Sequence, residues 1–239
     1  MSVVNVICMK WGTKYNAAYV NTLYSMVRRH LHRPFRFVCL TDDSQGFNDG
    51  IDVFPLIKLN IGAGPERGWD KLTTFSNPLY DLSGPALFLD LDVVIVDSID
   101  CFFEHPGEFL IIKDWVKRDL TGNSSVYRFQ VNSMPDILEN FRTNHTQIKE
   151  QVRNEQEYLS QYVAAQGRLD YWPDEWCRSF KYHCNQPGFR SWFSPPVCPP
   201  QAKIIVFHGT PNPPDAIRGR SGKWYRRILP TSWVAENWK

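Results

Sequence analysis

Asp90 and Asp92 are the residues whose type and spacing most directly suggest chemistry. They stand inside Ala86-Leu87-Phe88-Leu89-Asp90-Leu91-Asp92-Val93-Val94-Ile95-Val96-Asp97, where Ala86 to Leu89 and Val93 to Val96 have the composition of buried strands. An unpaired carboxylate in such surroundings costs several kcal/mol or is driven to protonate, so a positive group must compensate the pair. In an extended segment residues i and i+2 face the same side. Two carboxylates presented together suit a hard divalent cation such as Mn²⁺ or Mg²⁺. The plainer alternative is a strand end with two solvated or salt-bridged aspartates, which is what a short Asp-x-Asp usually is. The apolar flanks favour the metal.

The elements that must position this pair follow from periodicity. Val3 to Met9 reads as a first strand and Lys10 to Lys14 as a polar loop. Apolar residues at 15, 19, 23, 26 and 27 predict a helix over Tyr15 to Leu31. Its last turn is rich in cations, which suit a helix C-terminus. Phe35 to Leu40 and Ile51 to Leu56 read as strands, and strand–helix–strand in this order predicts a right-handed parallel unit. Ligands of such sheets bind beyond the carboxyl ends of the strands. Residues 9 to 15 and 41 to 43 are thus expected on one rim with Asp90 and Asp92. Trp69 to Asn77 predicts a short helix carrying Lys71, by default a solvated lysine. Phe109 to Ile112, Ser125 to Val131 and Lys203 to Phe207 predict further strands, and Asp136 to Asn144 and Val152 to Ala165 predict helices. Glu155 and Gln156 fall off the apolar stripe of the last helix. His208-Gly209 ends the late strand, and Gly209 allows a sharp turn close to a ligand. Arg218, Arg220, Lys223, Arg226 and Arg227 then place five cations within ten residues, either a solvated tail or a clamp for an anion.

With 239 residues, 43% of them hydrophobic and 22% charged, the chain is long enough for one substantial α/β core. A net charge of +2 gives no global field for nucleic acid. No apolar run reaches the ~20 residues of a membrane span, and the start lacks the pattern of a secretory signal. The expectation is a cytoplasmic protein, with at most peripheral membrane contact. None of the six cysteines forms a Cys-x-x-Cys pair, which argues against structural zinc. The aromatic- and proline-rich stretch from 171 to 200 predicts long ordered loops.

In order and spacing, these pieces resemble the GT-A fold glycosyltransferases of the glycogenin and bacterial lipopolysaccharide galactosyltransferase group, family 8. The resemblance spans roughly residues 3 to 212. It rests on the first strand followed by Tyr15, on Lys71 within Trp-Asp-Lys-Leu, and on Asp90-Leu91-Asp92. It continues with Asn123-Ser124-Ser125 at a strand start, Glu155-Gln156 at a helix start and His208-Gly209 at a strand end. Ser125 stands where the family has Gly and Glu155 where it has Asp, and the Lys-Pro-Trp after His-Gly is missing.

The resemblance implies a single GT-A domain over 1–239, with a mainly parallel central sheet flanked by helices. Residues 1–100 would form the nucleotide-binding half, and 101–239 the acceptor half with a closing C-terminal segment. It implies Mn²⁺ (or Mg²⁺) held by Asp90, Asp92 and His208, and Tyr15 stacked on the uracil of a UDP-sugar donor. Lys71 would touch donor sugar or phosphates, and Asn123, Glu155 and Gln156 would line the sugar pocket. Met9, Trp11, Leu91 and Gly209 would complete the donor site. Hexosyl transfer with retention to an unassigned saccharide or other acceptor is implied, the missing lysine's phosphate role passing to Arg218, Arg220 or Lys223. The chemistry agrees: a cation stabilises the charge that develops on a leaving diphosphate, while the sugar becomes oxocarbenium-like. Two alternatives stay open. A haloacid-dehalogenase-type phosphatase also uses Asp-x-Asp, with its first Asp as nucleophile, but would have the motif at its first strand. A non-catalytic nucleotide-sugar-binding protein is the other.

Overall fold

A computed structural model describes residues 2–59, 61, 68–186, 191–222 and 227–239. The central element is β1 (Val4–Lys10), buried at every position. Strands β2 (Phe35–Thr41), β3 (Ile51–Pro55) and β4 (Pro85–Leu89) lie parallel to it, β2 and β4 as its two direct neighbours. β7 (Gly122–Gln130) pairs antiparallel with both β4 and β6 (Phe109–Lys113), and β8 (Leu169–Tyr171) closes the edge parallel to β6. The order is β3-β2-β1-β4-β7-β6-β8, a mixed sheet whose β3-β2-β1-β4 half is parallel.

Strict alternation decides what covers each face. Val4, Val6, Cys8, Phe37, Cys39, Leu87 and Leu89 join one apolar cluster, with Val20, Leu23, Met26 and Val27 of helix α1 (Ala17–His30). Ile7, Met9, Val38, Leu40, Ala86 and Phe88 join another, with Ile137, Leu138 and Phe141 of α2 (Pro135–Gln151) and Leu159 and Val163 of α3 (Glu155–Ala165). With period-2 side chains and both faces covered, such strands must be apolar throughout. Each fully buried Leu, Ile or Phe contributes roughly 1.5–3 kcal/mol. A second sheet, β5-β10-β9, is built from β5 (Val93–Ile95), β9 (Cys177–Ser179) and β10 (Ile204–Val206). The chain also contains the short helices α4 (Pro213–Ile217) and α5 (Ser232–Asn237).

Several expectations need correction. Helix α1 starts at Ala17 rather than Tyr15, because Asn16 is extended and serves as its N-cap. Lys10 ends β1 instead of opening the loop, and its buried ammonium donates to the Asp43 carbonyl at 3.0 Å. Trp69–Phe75 is a 3-10 helix that stops at extended Ser76, short of Asn77-Pro78. The apolar runs around Asp-x-Asp belong to two different sheets, so the motif itself is a turn and not a strand. Helix α2 runs on to Gln151, bent at Asn144, and Val152 lies extended between the helices. The 171–200 stretch opens on the last residue of β8 and holds β9 and a π-helical turn over Phe180–Cys184 as well as loops. Among the described residues no helix is long and apolar enough to cross a membrane.

Candidate active site

The parallel strands β1, β2 and β4 end on one rim. Antiparallel β7 starts there, and its start is tied to the acidic turn by the Asp90 N–H, which donates to Ser125 O at 2.9 Å. On the other side of the turn the Phe207 N–H donates to Asp92 O at 3.2 Å. The Asp-x-Asp backbone is thus clamped between β7 of the main sheet and the end of β10. A turn fixed at both sides holds two carboxylates without the extended geometry that i, i+2 spacing suggests.

Among the described residues each carboxylate has one side-chain partner. The Lys71 ammonium lies 2.6 Å from Asp90 Oδ1, and the Tyr15 hydroxyl donates to Asp92 Oδ2 at 2.7 Å. Asp90 Oδ2 and Asp92 Oδ1 take part in no hydrogen bond among the described residues. Burial, reinforced by the Asp90 charge, pushes the Asp92 carboxyl up to about 6, against the opposing effects of Tyr15, Lys14 and Lys71. Leu91 between them is buried apolar packing.

Lys71 is not solvated. Its Nζ lies 3.9 Å from Glu155 Oε1, 3.4 Å from Ser124 Oγ and 5.3 Å from the Phe88 ring centroid. Burial alone would lower its pKa, but Asp90 and Glu155 outweigh burial and raise it. Glu155 opens α3 and is buried under Gly68, its Oε1 accepting from Ser124 Oγ at 2.5 Å. Burial raises the Glu155 carboxyl, opposed mainly by Lys71 and Ser124. Gln156 Oε1 accepts from the Ser124 N–H at 3.5 Å, and Asn123 Oδ1 accepts from the Ser125 N–H at 3.0 Å. Lys71, Asp90, Ser124, Glu155 and Gln156 are therefore one connected group. Ser124 is its hub, quoted in the sequence motif but given no role there.

Other expected residues stand differently. Met9 is core and Trp11 packs beside it. The Tyr15 ring is 4.7 Å from Tyr19 and carries the Lys14 ammonium 4.5 Å from its centroid. With its hydroxyl on Asp92, its clearest task is to hold that carboxylate. His208 does not join Asp90 and Asp92: among the described residues no three His, Cys, Asp or Glu side chains gather as a metal-ligand group. Its Nε2 bonds Ser179 Oγ at 2.7 Å, and its ring stacks on Trp115 with 5.6 Å between centroids. Burial, with Lys181 nearby, lowers its pKa. No sequence pattern signalled Ser179 or Trp115. Gly209 has the expected left-handed backbone, with φ of 84° and open space where a Cβ would sit. Lys223 and Arg226 lie outside the described residues.

Tyr15→Phe tests the clamp on Asp92. The hydroxyl's bond favours the ionised carboxylate, so its loss raises that group further. In the metal-free protein the titration of Asp92 is expected to move to higher pH, with the melting temperature at pH 4.5 unchanged. Carboxylate titration followed by NMR checks it, and an unmoved titration leaves Tyr15 a packing residue only.

No family model matches the chain, and no curated protein does. Solved structures match nearly all of it. The galactosyltransferase LgtC, in complex with donor and acceptor sugar analogs, aligns with a TM-score of 0.64 at 12% identity, covering 92% of this chain and 92% of that one. The glycosyltransferase GlyE of Streptococcus pneumoniae TIGR4 aligns with a TM-score of 0.60 at 13% identity, covering 98% of this chain and 61% of that one. The fold is therefore that of GT-A glycosyltransferases, and the resemblance to family 8 read from the motifs extends to the architecture.

Proposed function

We propose that the chain is a metal-dependent glycosyltransferase. It moves a hexosyl group from a nucleotide-diphosphate donor of the UDP-sugar type to a saccharide or other acceptor, with retention. The observation that carries this reading is the acidic turn at the carboxyl end of β4, with Lys71 on Asp90 and Tyr15 on Asp92. Residues 1–100 would form the donor half of one domain and 101–239 the acceptor half. The likeness to LgtC, a protein solved with donor and acceptor sugar analogs, supports the same reading.

The residues fit a divalent cation. Two carboxylates share a small buried turn, one of them is pushed up to about 6 by burial and by the other, and each keeps an oxygen outside the described hydrogen bonds. Bound there, Mn²⁺ or Mg²⁺ would neutralise the charge that develops on the leaving diphosphate. Asp90 and Asp92 would hold it, and release of the Ser179 bond would free the His208 Nε2 to join them. Lys71 would turn from Asp90 toward the donor phosphates or sugar as the ion takes over the carboxylate. Gln156 and Asn123 would orient the sugar hydroxyls. Ser124 would keep Glu155 and Lys71 in register. In the transfer the bond from the sugar's anomeric carbon to the β-phosphate oxygen breaks. A bond to the acceptor oxygen forms on the same face, and the acceptor hydroxyl proton passes to the departing phosphate oxygen. None of these side chains needs to form a covalent intermediate.

Incubation of the purified chain with UDP-glucose and UDP-galactose, with and without Mn²⁺, tests the reading. UDP release that needs the metal is the expected result. Metal-dependent donor binding without release would make the protein a nucleotide-sugar-binding module, and hydrolysis of a phosphomonoester instead would point to a phosphatase.

A further inference from the structure

Past the strand end that carries His208 lies a separate cavity of about 410 Å³, within the ~300–1,000 Å³ typical of small-ligand sites. Lys181, Tyr182, Trp192, Thr210 and Arg227 are among the residues lining it. Two features set it apart from an ordinary surface dent. The first is its charge. Lys181 and Arg227 contribute two cations, no Asp or Glu is among the described lining residues, and neither cation makes an ion pair with a described carboxylate. The second is its aromatic wall. Trp192 and Tyr182 are 52% and 46% exposed, a large area of flat apolar surface in a concave site. The cations lie against these rings, Lys181 Nζ 5.1 Å from the Tyr182 centroid and the Arg227 guanidinium 5.9 Å from that of Trp192.

The cavity is tied to the acidic turn by a short stretch of chain. Phe207 bonds the Asp92 carbonyl, Thr210 lies three residues further on, and the Tyr182 ring is 5.3 Å from that of His208. Three residues reach at most ~11 Å, so the wall at Thr210 is one small molecule away from the carboxylates. Exposed ring faces accept the apolar faces of a sugar. A guanidinium and an ammonium with no carboxylate partner call for an anion, which Arg can grip through two parallel hydrogen bonds.

We propose that this cavity is the acceptor subsite of the glycosyl transfer argued above, and that the acceptor is a saccharide bearing an acidic group, a phosphate or a carboxylate. Tyr182 and Trp192 carry the sugar ring while Lys181 and Arg227 hold the acid. The acceptor hydroxyl then points back along His208 toward the donor. The proposal rests on the transferase reading for the word acceptor, but the binding it requires is measurable without turnover.

Calorimetry on the full chain, without donor, would compare glucose, glucose 6-phosphate, glucuronate and inorganic phosphate. At least one acidic sugar is expected to bind tenfold or more tighter than both glucose and inorganic phosphate, and the two acidic sugars distinguish phosphate from carboxylate. Arg227→Gln and Lys181→Gln are each expected to weaken that binding at least fivefold. They should leave the affinity for UDP with Mn²⁺ within twofold of the parent and the melting temperature unmoved. The proposal is overturned if neither acidic sugar binds, or if glucose or phosphate alone binds as well. It is also overturned if the two variants weaken UDP binding in parallel, since the cations would then serve the donor diphosphate. Absence of UDP release from UDP-sugars would defeat the transferase reading and leave the sugar-binding result intact.

Discussion

Asp92→Asn is expected to abolish metal-dependent UDP release and, in the metal-free protein at pH 7.5, to raise the melting temperature. Both halves follow from one physical state. Burial and the neighbouring Asp90 raise the Asp92 carboxyl to about 6 in the folded protein, while an unfolded chain leaves an Asp near 3.9. A folded-state pKa above the unfolded one means that the group's contribution is fully favourable below pH 4. It is lost as pH rises through about 6. The interval corresponds to a cost on the order of 3 kcal/mol at neutral pH in the absence of a cation. For a chain of this size each kcal/mol moves the melting temperature by ~2–4 °C, so the neutral Asn variant should gain several degrees over the parent. The gap should close as the pH is lowered to 4.5, where the parent's Asp92 is protonated. Mn²⁺ should raise the melting temperature of the parent and not that of the variant, because the cation supplies the compensation only where the carboxylate is present. Equal melting temperatures of parent and variant at pH 7.5 would show that the buried charge is compensated by the protein alone. Normal turnover by the variant would remove the metal from the mechanism. A site kept unstable for its ligand is the usual relation between stability and function at such positions.

The parts of this arrangement that the sequence disclosed are those set by local composition. β1, β2 and β4 were legible because strands covered on both faces must be continuously apolar. α1 was legible because Leu23, Met26 and Val27 recur at helical spacing. The Asp-x-Asp was legible as a buried acidic pair for the same reason, its flanks having no polar residue. What the sequence could not disclose is pairing at a distance. The apolar runs before and after the motif look like one strand but enter different sheets, which turns an extended pair into a turn. His208 meets Ser179 across 29 residues and Glu155 meets Ser124 across 31; neither contact has a local signal. The boundary between α2 and α3 was missed because Val152 continues the apolar stripe while its backbone is extended. β8 and β9 have three residues each, too few to display a period of two. Motif order, rather than periodicity, brought Lys71 to the acidic motif, and the fold puts its ammonium on Asp90.

Replacing Lys71 by Met should be the most damaging single change at the site for stability, and it separates the structural share of that lysine from its action on the donor. Lys71 sits between Asp90 at 2.6 Å and Glu155 at 3.9 Å, and the carboxylates raise its pKa in spite of burial. A raised lysine contributes its stabilisation at every pH below its unfolded value near 10.4 and loses it only above its folded value, so at pH 7 the contribution is complete. Removing one member of a buried charge cluster costs ~3–5 kcal/mol, because the other members stay buried without a partner. Methionine keeps most of the volume, so the loss should come from charge and not from a cavity. Glu155, already raised by burial, should rise further, so the deficit should shrink as the pH falls and that carboxyl protonates. A second substitution, Asp90→Asn, in the same chain should recover part of the lost stability, the interaction energy of a coupled pair. Activity should behave otherwise. Lys71→Met should lower kcat/KM for UDP release at least tenfold, about 1.4 kcal/mol of transition-state stabilisation, and the double variant should recover none of it. Lys71→Arg should restore charge but not function, since a planar guanidinium does not fit the space of a compact ammonium between Ser124 and Phe88. Chemical denaturation from pH 5 to 8, together with UDP-release kinetics of the three variants, would measure all of this. If Lys71→Arg kept the parental kcat/KM along with stability, Lys71 would be a counter-ion for Asp90 and nothing more.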